Sequence, residues 1–132
     1  MFDANTRILV VDDMMTMRKL VVKALREIGF SDFIEASDGA KAWEALTNSE
    51  VPVGIIISDW NMPNSTGMDL LRRVRAESRY KDLPFILVTA ESDAAQVTEA
   101  VKAGVTGYIV KPFTVDTLRE KLESAHKRKL AA

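Results

Sequence analysis

The chain has 132 residues, enough for one domain around one core, with 47% hydrophobic residues, 28% charged residues and a net charge of −1. That balance advertises neither a nucleic-acid face nor a polybasic membrane anchor, and the lack of cysteine excludes disulfides, thiol catalysis and thiolate metal sites. No apolar run approaches the ~20 residues of a membrane span, and Met1-Phe2-Asp3-Ala4-Asn5-Thr6 has no charged-then-apolar leader pattern, so a cytoplasmic protein with no membrane partner is expected.

From Arg7 the apolar run Ile8-Leu9-Val10-Val11 predicts a strand that stops at Asp12-Asp13. Met17, Leu20, Val21, Ala24, Leu25 and Ile28 then recur at helical spacing as one apolar face, and Gly29 follows as a helix stop. Phe33-Ile34-Glu35-Ala36 predicts a weaker second strand, and Ser37-Asp38-Gly39 is turn chemistry. A second helix carries Ala42, Trp43, Ala45 and Leu46 until Asn48-Ser49 and Pro52 break it. Val53-Gly54-Ile55-Ile56-Ile57 reads as a parallel strand buried on both faces; it ends abruptly at Ser58-Asp59, and Met62-Pro63 closes the turn. Ser65 or Thr66 can cap a third helix, with Met68, Leu71 and Val74 inward, Leu70 flanking, and Arg72, Arg73 and Arg75 facing water.

Phe85-Ile86-Leu87-Val88 predicts a fourth buried strand, ending in Thr89-Ala90. The fourth helix, about Asp93 to Ala103, has an apolar face of small residues: Ala94, Val97, Ala100 and Val101. Such a face buries about half the area per residue that leucines would, so this helix is expected to shift most easily. Gly107-Tyr108-Ile109-Val110 predicts the fifth strand and ends in Lys111-Pro112. A last helix carries Val115, Leu118, Leu122 and Ala125, then the basic tail His126, Lys127, Arg128 and Lys129. His126 reads as a solvated residue near a helix end, not a ligand or catalyst.

Strictly alternating strands and helices imply an α/β fold: a single doubly wound, five-stranded parallel sheet of order 2-1-3-4-5, the flavodoxin-like (βα)5 arrangement. Residues 1–132 are expected to form one domain, with no room for a second. In a parallel sheet all strand ends share one edge. Asp12, Asp13, Asp59, Thr89 and Lys111 should therefore converge. Taken singly, each acid reads better as an N-cap or a loop residue; it is the set that signals. Three crowded carboxylates resist ionising unless something positive compensates, and one lysine does not suffice. A hard divalent cation is the natural remainder, and Mg2+ suits it, because it takes one or two carboxylates and keeps positions for water and phosphate oxygens. A cation, a lysine and a hydroxyl around one aspartate form a phosphoryl site, with Asp59 as the nucleophile that becomes an acyl phosphate.

Val10-Val11-Asp12-Asp13, Ser58-Asp59-Trp60-Asn61-Met62-Pro63, Val88-Thr89-Ala90-Glu91 and Val110-Lys111-Pro112-Phe113 resemble the motifs of response-regulator receiver domains, in particular the single-domain chemotaxis regulators. The resemblance runs from about residue 7 to 122. It implies that Asp59 accepts phosphate from a histidine kinase. It further implies that Asp13, Asp59 and the backbone carbonyl of Asn61 ligate Mg2+, with Asp12 acting through a metal-bound water. Lys111 and Thr89 would bind phosphoryl oxygens, with Ala90 beside them, and Asn61 and Glu91 would set the dephosphorylation rate. Lys111-Pro112 is expected to be cis. Tyr108, Val110, Phe113, Thr114 and Lys121 would form a switch and partner face whose target is the flagellar motor switch. A phosphatase is a possible further partner, the output would be binding and not enzymatic turnover, and a monomer that binds no nucleic acid is expected.

The sequence departs from that pattern in places. Met14-Met15 follow the acid pair and are expected to shield the site or pack at its rim. Ser65-Thr66-Gly67 replaces a frequent Met-Asp-Gly. Asp93, Ala94 and Ser124 stand where chemotaxis members often carry basic residues, which weakens the inference to a motor target. A receiver acting as a phosphate sink or relay intermediate is therefore a second reading. An Mg2+-dependent aspartyl-phosphate hydrolase is a third, disfavoured because Asn61 occupies the place of that chemistry's second acid and no cap domain is available.

Overall fold

The five apolar runs pair into one sheet in the computed structural model, which describes residues 1–63, 65–90 and 94–131. In chain order the elements are β1 (Arg7–Val11), α1 (Met15–Ile28), β2 (Asp32–Ala36), α2 (Gly39–Asn48), β3 (Val53–Asp59), α3 (Gly67–Ala76), β4 (Phe85–Thr89), α4 (Ala94–Lys102), β5 (Gly107–Val110) and α5 (Val115–Ala131). Every pairing is parallel and the order is β2-β1-β3-β4-β5, as the alternation predicts.

The period-two alternation of strand side chains divides the interior into two layers. Ile8, Val10, Ile55, Ile57, Ile86 and Val88 point to one face, where Val21 and Leu25 of α1 and Leu118 and Leu122 of α5 cover them. Leu9, Val11, Ile56, Phe85 and Leu87 point to the other, under Leu46 of α2, Leu71 and Val74 of α3, and Ala100 of α4. The registers align Val11 with Ser58, Asp59 with Val88 and Thr89 with Val110, so the carboxyl ends of β1, β3, β4 and β5 lie on one edge.

The helices carry several corrections. In α1 Leu20 is 51% exposed and Val22 is buried instead. The buried stripe centres on Val21 and Leu25, and Leu20 lies about 100° around the helix from Val21, past its edge. In α3, Leu70 is as buried as Leu71, because α3 packs on α2 as well as on the sheet. Thr66, not Ser65, caps α3 in a reciprocal capping box with Asp69.

Arg72 and Arg73 are exposed, as expected, but Arg75 is not. Arg73 lies 4.3 Å over the Trp43 ring. Arg75 is half-buried and donates to the carbonyls of Leu83 (2.7 Å), Gly104 (2.8 Å) and Tyr80 (3.4 Å) and to Thr106 Oγ1 (3.3 Å). Those groups precede β4 and β5, where the chain leaves the ladder and its carbonyls need other donors. α4 is thinner in contact than its sequence suggests. Only Ala100 is buried, Val101 is 62% exposed, and Asp93 lies outside the described residues. His126 is half-buried, edge-on to the buried Phe2 at 4.9 Å.

Candidate functional site

Each strand end delivers its residue by a specific backbone device. Asp12 follows β1; its N–H donates to the Ala36 carbonyl (3.1 Å) and its carboxylate accepts from the Met14 N–H (2.9 Å). Its carbonyl accepts from Arg18 Nη1 at 2.8 Å. Asp59 is the last residue of β3, and the next residue, Trp60, donates its N–H to the Val88 carbonyl (2.9 Å). The loop then closes where the Gly67 N–H donates to the Trp60 carbonyl at 2.9 Å. A Cβ at Gly67 would sit 2.3 Å from the Asp59 carbonyl oxygen, so this glycine is required for space. Lys111 follows β5; its N–H donates to the Thr89 carbonyl (2.7 Å), and the Lys111-Pro112 peptide is cis.

These devices bring the strand-end set together. Carboxylate oxygens of Asp12, Asp13 and Asp59 lie within 4.8 Å of one another. Lys111 Nζ donates to Asp59 Oδ1 at 2.9 Å and stands 3.6 Å from Asp12 Oδ2. Asp12, Asp59 and Thr89 are buried and Asp13 is exposed, so the cluster reaches solvent through Asp13. Burial above all pushes the Asp12 carboxyl up from its ordinary range, with the charges of Asp59 and Asp13 adding to it; the Met14 amide and Lys111 pull the other way. Three acids and one ammonium leave a net negative pocket whose donors are all oxygens. That chemistry fits a hard divalent cation and not a soft one.

The remaining expected residues are less uniform. Asn61 and Ala90 are exposed, and Glu91 lies outside the described residues. Met14 and Met15, expected to shield the site or pack at its rim, are 57% and 63% exposed. Tyr108, Val110, Phe113 and Lys121 are half-buried; Lys121 Nζ lies 5.3 Å from the Tyr108 ring centre, but Tyr108 packs on the layer under α3 and α4 while Phe113 packs on the opposite layer, against α1 and α5. Thr114 is exposed but already engaged, accepting from the Thr117 N–H (3.1 Å) at the start of α5. Arg18 was invisible to sequence reasoning, because its partner at the site is a backbone carbonyl and such partners leave no residue pattern.

A family profile described as "Response regulator receiver domain" matches residues 8–123. The chain is a response-regulator receiver. Two-component chemotaxis regulators are among its relatives. The receiver is 50% identical over 117 residues to the chemotaxis protein CheY homolog of Campylobacter jejuni, covering 89% of both chains. It is 48% identical over 122 residues to the chemotaxis protein CheY of Pseudomonas aeruginosa, covering 92% of this chain and 97% of the relative. Among solved structures it is similar to the chemotaxis response regulator CheY4 of Vibrio cholerae, with TM-score 0.82 and 33% identity over 92% of this receiver and 98% of that chain. No helix among the described residues is long and apolar enough to cross a membrane.

Proposed function

We propose that this receiver is the phosphoacceptor of a chemotaxis two-component system. Asp59 takes the phosphoryl group of a kinase phosphohistidine, and the phosphorylated form binds the flagellar motor switch. The observation that carries the reading is the contact of Lys111 with both Asp59 (2.9 Å) and Asp12 (3.6 Å) inside a trio of carboxylates. Asp13, Asp59 and the Asn61 carbonyl would hold Mg2+, with Asp12 acting through water. The bound cation would offset the carboxylate charge that otherwise repels an incoming phosphoryl group.

In the transfer an Asp59 carboxylate oxygen attacks phosphorus as the P–N bond to the imidazole breaks. The nitrogen leaves with the electron pair and takes up a proton. The Lys111 ammonium exchanges its Asp59 contact for a phosphoryl oxygen, and the Thr89 hydroxyl turns towards another. Lys111 N–H is bonded to the Thr89 carbonyl, so the two movements are mechanically joined through the β4–β5 pair. The phosphoryl group can bias the fold only by the difference in these contacts between the two arrangements. The output is then a population shift of the α4–β5–α5 face carrying Tyr108, Val110, Phe113, Thr114 and Lys121. Turnover of a substrate is not part of this reading.

The test is incubation with Mg2+ and acetyl phosphate, with and without Asp59→Asn, followed by pull-down of a flagellar switch peptide. Stoichiometric labelling lost in Asp59→Asn, with peptide capture only after labelling, is the expected result. The exposure of Ala94 and Ser124, both uncharged on the output side, favours a second reading as a phosphate sink. Labelling without peptide capture would select it. Multiple turnover of diverse phosphoesters would replace both with a hydrolase.

A further inference from the structure

The three carboxylates differ in how they are held. Asp59 is fixed by its strand and by Lys111, and Asp12 by the Met14 amide. Among the described residues nothing donates a hydrogen bond to the Asp13 carboxylate, and it is exposed. Its direction is therefore set by the two peptide groups that flank it. The Met14 N–H, on one side, is bound by the Asp12 carboxylate at 2.9 Å. The Asp12 carbonyl, on the other, is bound by Arg18 Nη1 at 2.8 Å.

Arg18 is itself prepared for that contact. Its Nε meets Glu35 Oε1 at 3.3 Å, so the planar guanidinium is gripped at one end and donates from the other. Glu35 stands on β2 opposite Val10 of β1, and its second oxygen accepts from Lys19 at 2.7 Å. The Arg18 and Glu35 side chains are only 16% and 27% exposed, so the pair is a fixed bracket and not a flexible surface contact. The hydrogen bond from Lys19 first, and Arg18 with it, holds the Glu35 carboxyl below its ordinary range.

We infer that Arg18, gripped by Glu35, is a positioning residue that fixes the Asp12–Asp13 peptide plane and so aims the Asp13 carboxylate at the metal. The inference rests on the reading of the acid trio as an Mg2+ site. Partners that orient ligands in this indirect way are worth about 10- to 100-fold in metal affinity when removed.

Calorimetric titration of the receiver with MgCl2, joined to amide exchange at Asp13 and Met14 in metal-free protein, tests it. Arg18→Ala should weaken Mg2+ binding about tenfold and speed both amides. Arg18→Lys should recover only part of the affinity, because an ammonium cannot grip Glu35 and the carbonyl in one rigid plane. Glu35→Gln should weaken binding by less than Arg18→Ala, and Lys19→Ala should leave it within about twofold. If Arg18→Ala does not fold, the Lys and Gln variants decide alone. Unchanged affinity in Arg18→Lys and Glu35→Gln, with only the melting temperature lowered, would overturn the inference and leave the metal reading intact. No Mg2+ binding by the unaltered receiver would overturn the metal reading, and this inference with it.

Discussion

Lys111 balances part of the carboxylate charge in the resting receiver through its contacts with Asp59 and Asp12. Removing it takes the one nearby ammonium from the acid trio and leaves a more negative pocket. Lys111→Ala should therefore bind Mg2+ severalfold more tightly in a titration at low salt, and should fail to couple labelling of Asp59 to peptide capture. Gly67 is a constraint of a different kind. An added Cβ would meet the Asp59 carbonyl at 2.3 Å and Leu87 Cδ2 at 2.8 Å, so Gly67→Ala should destabilise the fold by about 1–3 kcal/mol in urea unfolding. The strand-end residues were legible because their side chains carry the chemistry and parallel strands bring their ends to one edge. Arg18 and Arg75 were not, because the groups they hold beside the strand ends are mostly main-chain carbonyls.

Among the elements, α4 is the least anchored. It buries only Ala100, and its tie to α3 is the Arg72–Glu99 ion pair at 2.6 Å, whose side chains are 54% and 48% exposed. Such a pair adds at most about 1 kcal/mol. Amide exchange in the unphosphorylated receiver should be faster in α4 than in the core of α1, α3 or α5, with the difference shrinking once Asp59 is labelled. Small side chains announced this weakness from sequence alone, since a face of small residues has little apolar area to bury. The face of α1 was less legible: Leu20, Val21 and Val22 are all apolar, and only packing against β1 and α5 decides which of them turns out. The tuck of Phe2 against His126 was also hidden, because a single aromatic before the first strand has no period to read.

At the scale of the whole molecule, the sheet order and the site edge followed from alternation and crossover handedness, and the structure agrees with both. The acid response follows from the charged bracket on β2. Because the fold holds Glu35 below its ordinary range, the unfolded chain takes up that proton first. The stabilisation is complete above the ordinary carboxylate range and is lost as pH falls through the lowered value. A series of denaturant midpoints from pH 7 to pH 3 should show Glu35→Gln starting lower and losing less than the unaltered receiver on acidification.

The two edges of the sheet are unequally bound. Arg75 stitches the turns before β4 and β5 together like the spine of a book. Gly104, just past the end of α4, is caught in that stitching. That fastening holds the tail of α4, so any shift of this helix on labelling of Asp59 should be smallest at Lys102 and grow towards Ala94, as amide exchange read along the helix would show.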